Sequence, residues 1–152
     1  MAEIKIEHVN ITVSDAKKTA EWLVDLFGWK VRWHGQAMSG GYTYHVGTDD
    51  MYLAVYNRPV DTENDGNPRE RIGRLNHVGI VVNDLETIEK NAKILGFKPF
   101  NHGDYEPGRR FYFYDDDGIE FEIVSYAPVP EKAKETVQSK MGEMAIAGMA
   151  YK

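Results

Sequence analysis

His8-Val9-Asn10-Ile11-Thr12-Val13-Ser14-Asp15 and His77-Val78-Gly79-Ile80-Val81-Val82-Asn83-Asp84 are two copies of one pattern, 69 residues apart (77 − 8 = 69). Each sets a histidine at the head of an alternating apolar run. Each then enters a helix-like stretch, closed by Leu26-Phe27-Gly28-Trp29-Lys30 in the first copy and by Leu95-Gly96-Phe97-Lys98 in the second. Self-similarity at this period means two like units, each offering one imidazole from an equivalent place.

Working outward, residues 4–13 alternate as a strand that buries Val9, Ile11 and Val13, which leaves His8, Asn10 and Thr12 on the other face. Ser14 or Asp15 caps a helix whose Ala16, Ala20, Leu23 and Leu26/Phe27 form one apolar stripe, and Gly28 stops it. Three strands are expected next, over 30–34, 41–47 and 51–56. The second unit repeats the order: a strand over 75–82, a helix over 85–95 stopped by Gly96, then strands over 98–102, 110–114 and 119–126. The chain therefore divides into a strand–helix–three-strand unit (1–56), a Pro-, Gly- and charge-rich linker (57–74), a second such unit (75–126) and a tail (127–152) of helix-favouring composition.

The 152 residues suffice for a sizeable core, and the 42% hydrophobic and 28% charged fractions are those of an ordinary globular protein. A net charge of −6 without a basic stripe excludes nucleic acid as the expected partner. The absence of cysteine removes disulfides, thiolate nucleophiles and cysteine-based metal sites. No apolar run approaches the ~20 residues of a membrane helix, and the N-terminus lacks the apolar core of a signal peptide. A cytoplasmic protein is the expectation.

Periodicity places three ligating side chains on one kind of face. In Ile119-Glu120-Phe121-Glu122-Ile123-Val124 the apolar Ile119, Phe121 and Ile123 pack against the helix, so Glu122 faces the same side as His8 and His77. A carboxylate on so apolar a strand calls for a cation. Two imidazoles and one carboxylate match the facial triad of Fe(II) and also suit Mn(II), with Zn(II) or Ni(II) as alternatives. Six of the nine tyrosines fall in same-parity pairs on strands: Tyr42 and Tyr44 two apart, Tyr52 and Tyr56 four apart, Tyr112 and Tyr114 two apart. Placed on the ligand face, they wall an aromatic pocket. On this reading Asn10, Tyr44, Tyr52, Tyr56, Arg110 and Tyr114 line the substrate site, and His45 points to the opposite face as a packing residue.

The repeat, the two His-Val-x-Ile openings and the Asp117-Gly118-Ile119-Glu120-Phe121-Glu122 ending resemble the vicinal oxygen chelate superfamily, which includes glyoxalase I, fosfomycin thiol transferases, bleomycin-resistance proteins and extradiol dioxygenases. The resemblance covers about residues 4–126. It implies an α+β fold in which two βαβββ repeats form a cup-shaped mixed sheet, a metal held by His8, His77 and Glu122, and a homodimer. Glyoxalase I takes a fourth ligand where this chain has Ala54, so the three-ligand pattern is more similar to the dioxygenases and thiol transferases. In both, a tyrosine ten residues before the glutamate touches the substrate, which implies that role for Tyr112 (122 − 112 = 10). The dioxygenases also use an acid–base histidine near the position of Met51, and His102 is the candidate replacement.

A divalent-metal enzyme acting on a small organic substrate through vicinal oxygens is thus expected. Extradiol-type ring cleavage leads, ahead of lyase, isomerase or fosfomycin-type thiol-transfer chemistry. The rival from another class is a metal-free drug-binding protein.

Overall fold

The computed structural model describes residues 4–37, 40–57, 72–105 and 108–128. The first unit contains β1 (His8–Thr12), α1 (Ala16–Phe27), β2 (Lys30–Gln36), β3 (Tyr42–Gly47) and β4 (Tyr52–Asn57), in the spatial order β1-β4-β3-β2. The second contains β5 (Val78–Val81), α2 (Leu85–Ile94), β6 (Phe100–Tyr105), β7 (Gly108–Tyr114) and β8 (Glu120–Ser125), in the order β5-β8-β7-β6. In each sheet the opening strand lies parallel to the last, and the remaining neighbours are antiparallel. This is the α+β architecture of two βαβββ modules that the sequence pattern predicts.

Local chemistry explains the element ends. Asp15 caps α1 by accepting from the Lys18 N–H at 3.0 Å, and Asp84 caps α2 by accepting from the Thr87 N–H at 2.9 Å. Gly28 ends α1 at φ 65, a left-handed conformation open to glycine at little cost. The strand expected over 4–13 is shorter, because β4, the neighbour that β1 pairs with, begins at Tyr52. Most of the expected linker (58–71) and of the expected helical tail (129–152) lies outside the described residues. No described helix is long and apolar enough to cross a membrane.

The helix-bearing faces of both sheets share one core. Leu23 of α1 is buried with Val46, Leu53 and Val55 of the first sheet, and Phe111, Phe113, Phe121 and Ile123 are buried on the second. Trp22 joins the two halves: its ring centroid lies 5.0 Å from Phe97, 5.1 Å from Phe121 and 5.9 Å from Phe113, all edge-on. The join is tightened where the Ser14 N–H donates to Asp117 Oδ2 at 3.0 Å and Lys18 pairs with Asp116. Each sheet therefore turns its other face away from the shared core, and the candidate ligands lie on these open faces.

Candidate metal centre

Strand register decides which side chains share an open face. In the second sheet Tyr112 pairs with Glu122, Arg110 with Val124 and Gly79 with Glu122, while Phe111 and Phe113 point to the core. His77 immediately precedes β5, so its ring meets Glu122 across the parallel pair: Nε2 lies 2.9 Å from Oε2. Its other nitrogen, Nδ1, lies 2.7 Å from Asn76 Oδ1. An amide oxygen accepts, so Nδ1–H donates to Asn76, and Nε2 is the nitrogen turned to the Glu122 carboxylate. The Glu122 carboxylate is 13% exposed, and its other oxygen, Oε1, accepts from Arg110 Nη1 at 2.9 Å. Tyr112 stands edge-on to His77, centroids 6.1 Å apart and planes at 88°. Tyr114 donates to Glu120 Oε2 at 3.0 Å and stacks on Phe100.

The first sheet carries the matching half. His8 Nδ1 lies 2.8 Å from Glu7 Oε2, again an acceptor group, which leaves Nε2 as the nitrogen available to another partner. The attraction of the histidine holds the Glu7 carboxyl below its usual range. The His8 ring stacks on Tyr52 (4.9 Å, 17°), and Tyr52 stacks on His45 (4.5 Å, 24°). The Arg32 guanidinium sits 4.7 Å above the Tyr52 ring, a cation–π contact. Burial, and after it the charges of His8 and Arg32, hold the His45 imidazole below its ordinary value. Asn10 is exposed on this face, and the Tyr56 hydroxyl donates to the Gly40 carbonyl at 2.7 Å.

Several expectations need correction. His77 and Glu122 come together, but His8 keeps company with Glu7 and Tyr52 on the other sheet. Among the described residues no group of three His, Asp or Glu side chains is placed to hold an ion. Tyr44 was expected to face the ligands and His45 to face away, and the register reverses both. Tyr44 pairs with the core residue Val55 and packs into the core, whereas His45 pairs with Ala54 on the open face. The reason is turn length. Residues 48–51 join β3 to β4, while the longer 115–119 joins β7 to β8, so simple sequence alignment slips by one. The first-unit counterpart of Tyr112 is therefore His45. Tyr42 pairs with Asn57 on the core-facing side, so the tyrosine wall is divided: Tyr52 and Tyr56 on one sheet, Tyr112 and Tyr114 on the other.

His102 is also misplaced for acid–base work at Glu122. Its Nε2 lies 3.1 Å from Glu89 Oε1 of α2, and its ring stacks on Phe111, a core-facing residue. It lines a shallow cavity of about 310 Å³ beside α2, together with Glu89 and Arg109. That hollow is on the helix side, away from the open face that carries His77 and Glu122.

Sequence reasoning missed Glu7 and Asn76, although the signal was present: an oxygen-bearing side chain directly precedes each repeat histidine. It also missed Arg32, because the break in register between Val31 and Trp33 is not written in the alternation.

Donor chemistry fits a divalent ion. Adjacent ligands at ~2.1 Å and right angles lie about 3.0 Å apart, close to the 2.9 Å between His77 Nε2 and Glu122 Oε2.

Two βαβββ modules, each a four-stranded mixed sheet with one helix packed on it, define the class of fold to which the chain belongs. The family model described as the Glyoxalase/Bleomycin resistance protein/Dioxygenase superfamily matches residues 5–123, and the chain belongs to that superfamily. No curated protein matches it. Among solved structures it is similar to a glyoxylase/bleomycin resistance protein/dioxygenase domain from Frankia sp. EAN1pec, with 18% identity, 82% of this chain and 98% of that one covered, and a TM-score of 0.66. A glyoxalase family protein from Enterococcus faecalis is similar at 18% identity, 79% and 96% coverage and a TM-score of 0.66. So is a variant of the fosfomycin resistance protein FosX from Listeria monocytogenes, complexed with Mn(II) and 1S,2S-dihydroxypropylphosphonic acid, at 18% identity, 87% and 98% coverage and a TM-score of 0.62.

Proposed function

We propose that the protein is a divalent-metal enzyme whose cup is completed by a second copy of the chain. One copy supplies His77 and Glu122, and the other supplies His8. The observation that carries this reading is the pair of half-sites: both histidines are anchored through Nδ1 with Nε2 presented, yet they stand on sheets whose open faces turn away from a common core. A homodimer joined open face to open face brings complementary halves together, and it covers Trp33 and Tyr114, which are half exposed here.

The ion, Mn(II) or Fe(II) by donor set, would act as a Lewis acid on vicinal oxygens of a small organic substrate. Mn(II) in the FosX complex supports that choice of metal. Tyr112, beside His77, donates a hydrogen bond to the oxygen on which negative charge develops. Tyr52 and Arg32 present an aromatic wall and a cation from the opposite half, suited to a flat or anionic substrate.

At the level of reaction type, ring cleavage loses its designated acid–base residue with His102 turned to Glu89. His45, on the open face, is the residue able to replace it. Lewis-acid addition or isomerisation depends on neither, and we favour it over dioxygenation. The test loads the purified protein anaerobically with Mn(II) or Fe(II) and measures metal by elemental analysis. One ion per chain, abolished by His77→Ala, is expected. Absence of stoichiometric metal favours the drug-binding reading, and oxygen-dependent cleavage on a catechol panel restores dioxygenation.

A further inference from the structure

The geometry points to Arg110 as a positioning residue that makes Glu122 a one-oxygen ligand and so reserves a coordination position for substrate. This rests on the metal-site reading above. Glu122 has two oxygens with different partners: Oε2 faces His77 Nε2 at 2.9 Å, and Oε1 accepts from Arg110 Nη1 at 2.9 Å. A carboxylate can ligate through one oxygen or chelate through both, and the choice decides how many positions remain open. With Oε1 held by a guanidinium, Oε2 is the oxygen left for the ion.

Arg110 is built to stay in place. It lies on the open face of β7 two residues from Tyr112, diagonal to Glu122 across the β7–β8 pair. Its head is 13% exposed, and its Nε and Nη2 both donate to the Gly108 carbonyl, at 3.3 and 3.2 Å. That fork leaves Nη1 aimed at Glu122. Gly108 is itself constrained: a Cβ there would stand 2.6 Å from the Ser125 carbonyl oxygen, so the close approach of β7 to β8 that presents this carbonyl needs glycine. Guanidinium suits the task because its donors are fixed in a plane and its charge persists at any working pH.

Arg110 completes a pattern. Each of the three ligand side chains has one outer partner that fixes which atom it presents: Glu7 for His8, Asn76 for His77 and Arg110 for Glu122. Arg110 differs in being cationic. It withdraws charge from the carboxylate, which leaves a bound ion more electrophilic and the site more attractive to an anionic chelator.

Mn(II) alone is the probe, and bound water is counted by water-proton relaxation and by line broadening of the Mn(II) resonance in ¹⁷O-water. With three protein donors an octahedral ion keeps about three waters. Arg110→Met is expected to show about two, because Glu122 is then free to chelate. Arg110→Lys, which retains a cationic donor, is expected to restore the wild-type count. Should Arg110→Met fail to fold by circular dichroism, Arg110→Gln carries the same expectation of a lost water. An unchanged count in the neutral variant overturns the inference. Failure of the wild type to bind Mn(II), or binding that survives His77→Ala, instead overturns the metal-site reading beneath it.

Discussion

Asp115 closes the turn between β7 and β8 and is 7% exposed. Its Oδ1 accepts from the Asp117 and Ile119 N–H groups at 3.0 and 2.8 Å, while its buried Oδ2 has no hydrogen-bond partner among the described residues. Burial pushes its carboxyl up to about 6 from an ordinary 3.8, against the lowering effect of those two backbone donors. Because the folded value lies above the unfolded one, the folded protein binds this proton more tightly. Stability from this group is full below pH 3.8, falls as pH rises toward about 6, and is gone above it. The rise from 3.8 to about 6 corresponds to roughly 3 kcal/mol. Asp115→Asn keeps an oxygen for the two backbone donors and removes the charge. We expect the variant to be more stable than wild type by about 1–3 kcal/mol at pH 7.5, with the gap narrowing to about a third of that at pH 4.5. Urea unfolding at pH 4.5, 5.5 and 7.5 measures it, and the difference between the two proteins cancels other titrating groups. A gap that stays constant with pH, or a variant less stable at pH 7.5, refutes the reasoning.

Trp22→Ala removes the ring that joins the two units, and a loss of about 3 kcal/mol is expected in chemical denaturation. Gly47→Ala should destabilise by at least about 2 kcal/mol, since its Cβ would meet the Met51 carbonyl oxygen at 2.2 Å and Tyr52 Cα at 2.5 Å, both backbone; a thermal melt matching wild type would contradict this. Tyr112→Phe should retain metal by elemental analysis while slowing turnover of any substrate found by about 10²-fold, because the hydroxyl acts on developing charge and not on the ion.

The two-unit α+β plan was legible because both units carry the same apolar alternation, the same aspartate cap and the same glycine stop, all of which act locally. Side-chain faces on β1 and β8 followed from alternation for the same reason. What failed depended on pairing. Tyr44 and His45 exchanged faces because the turn over 48–51 is one residue shorter than the turn over 115–119. Counting outward from Gly47 opposite Tyr52 would have set His45 beside Ala54. His102 was beyond local reading, since the register break between Phe100 and Gly103, with Asn101 at φ 52, re-aims that strand toward α2. The separation of His8 from His77 was not legible at all, because it follows from Trp22 and α1 packing against the second unit.

The central claim is that one site draws ligands from two chains, and mixed dimers of His8→Ala and His77→Ala test it directly. Each variant alone lacks a ligand in every site. A dimer with one chain of each kind rebuilds one complete site, from the intact His8 of one chain and the intact His77 and Glu122 of the other. Random pairing of equal amounts makes about half the dimers mixed, so Mn(II) bound at the wild-type affinity should return to about one quarter of the wild-type sites. If the three ligands gathered within a single chain, no mixture would restore any site, and Mn(II) binding at the level of the separate variants would contradict the account.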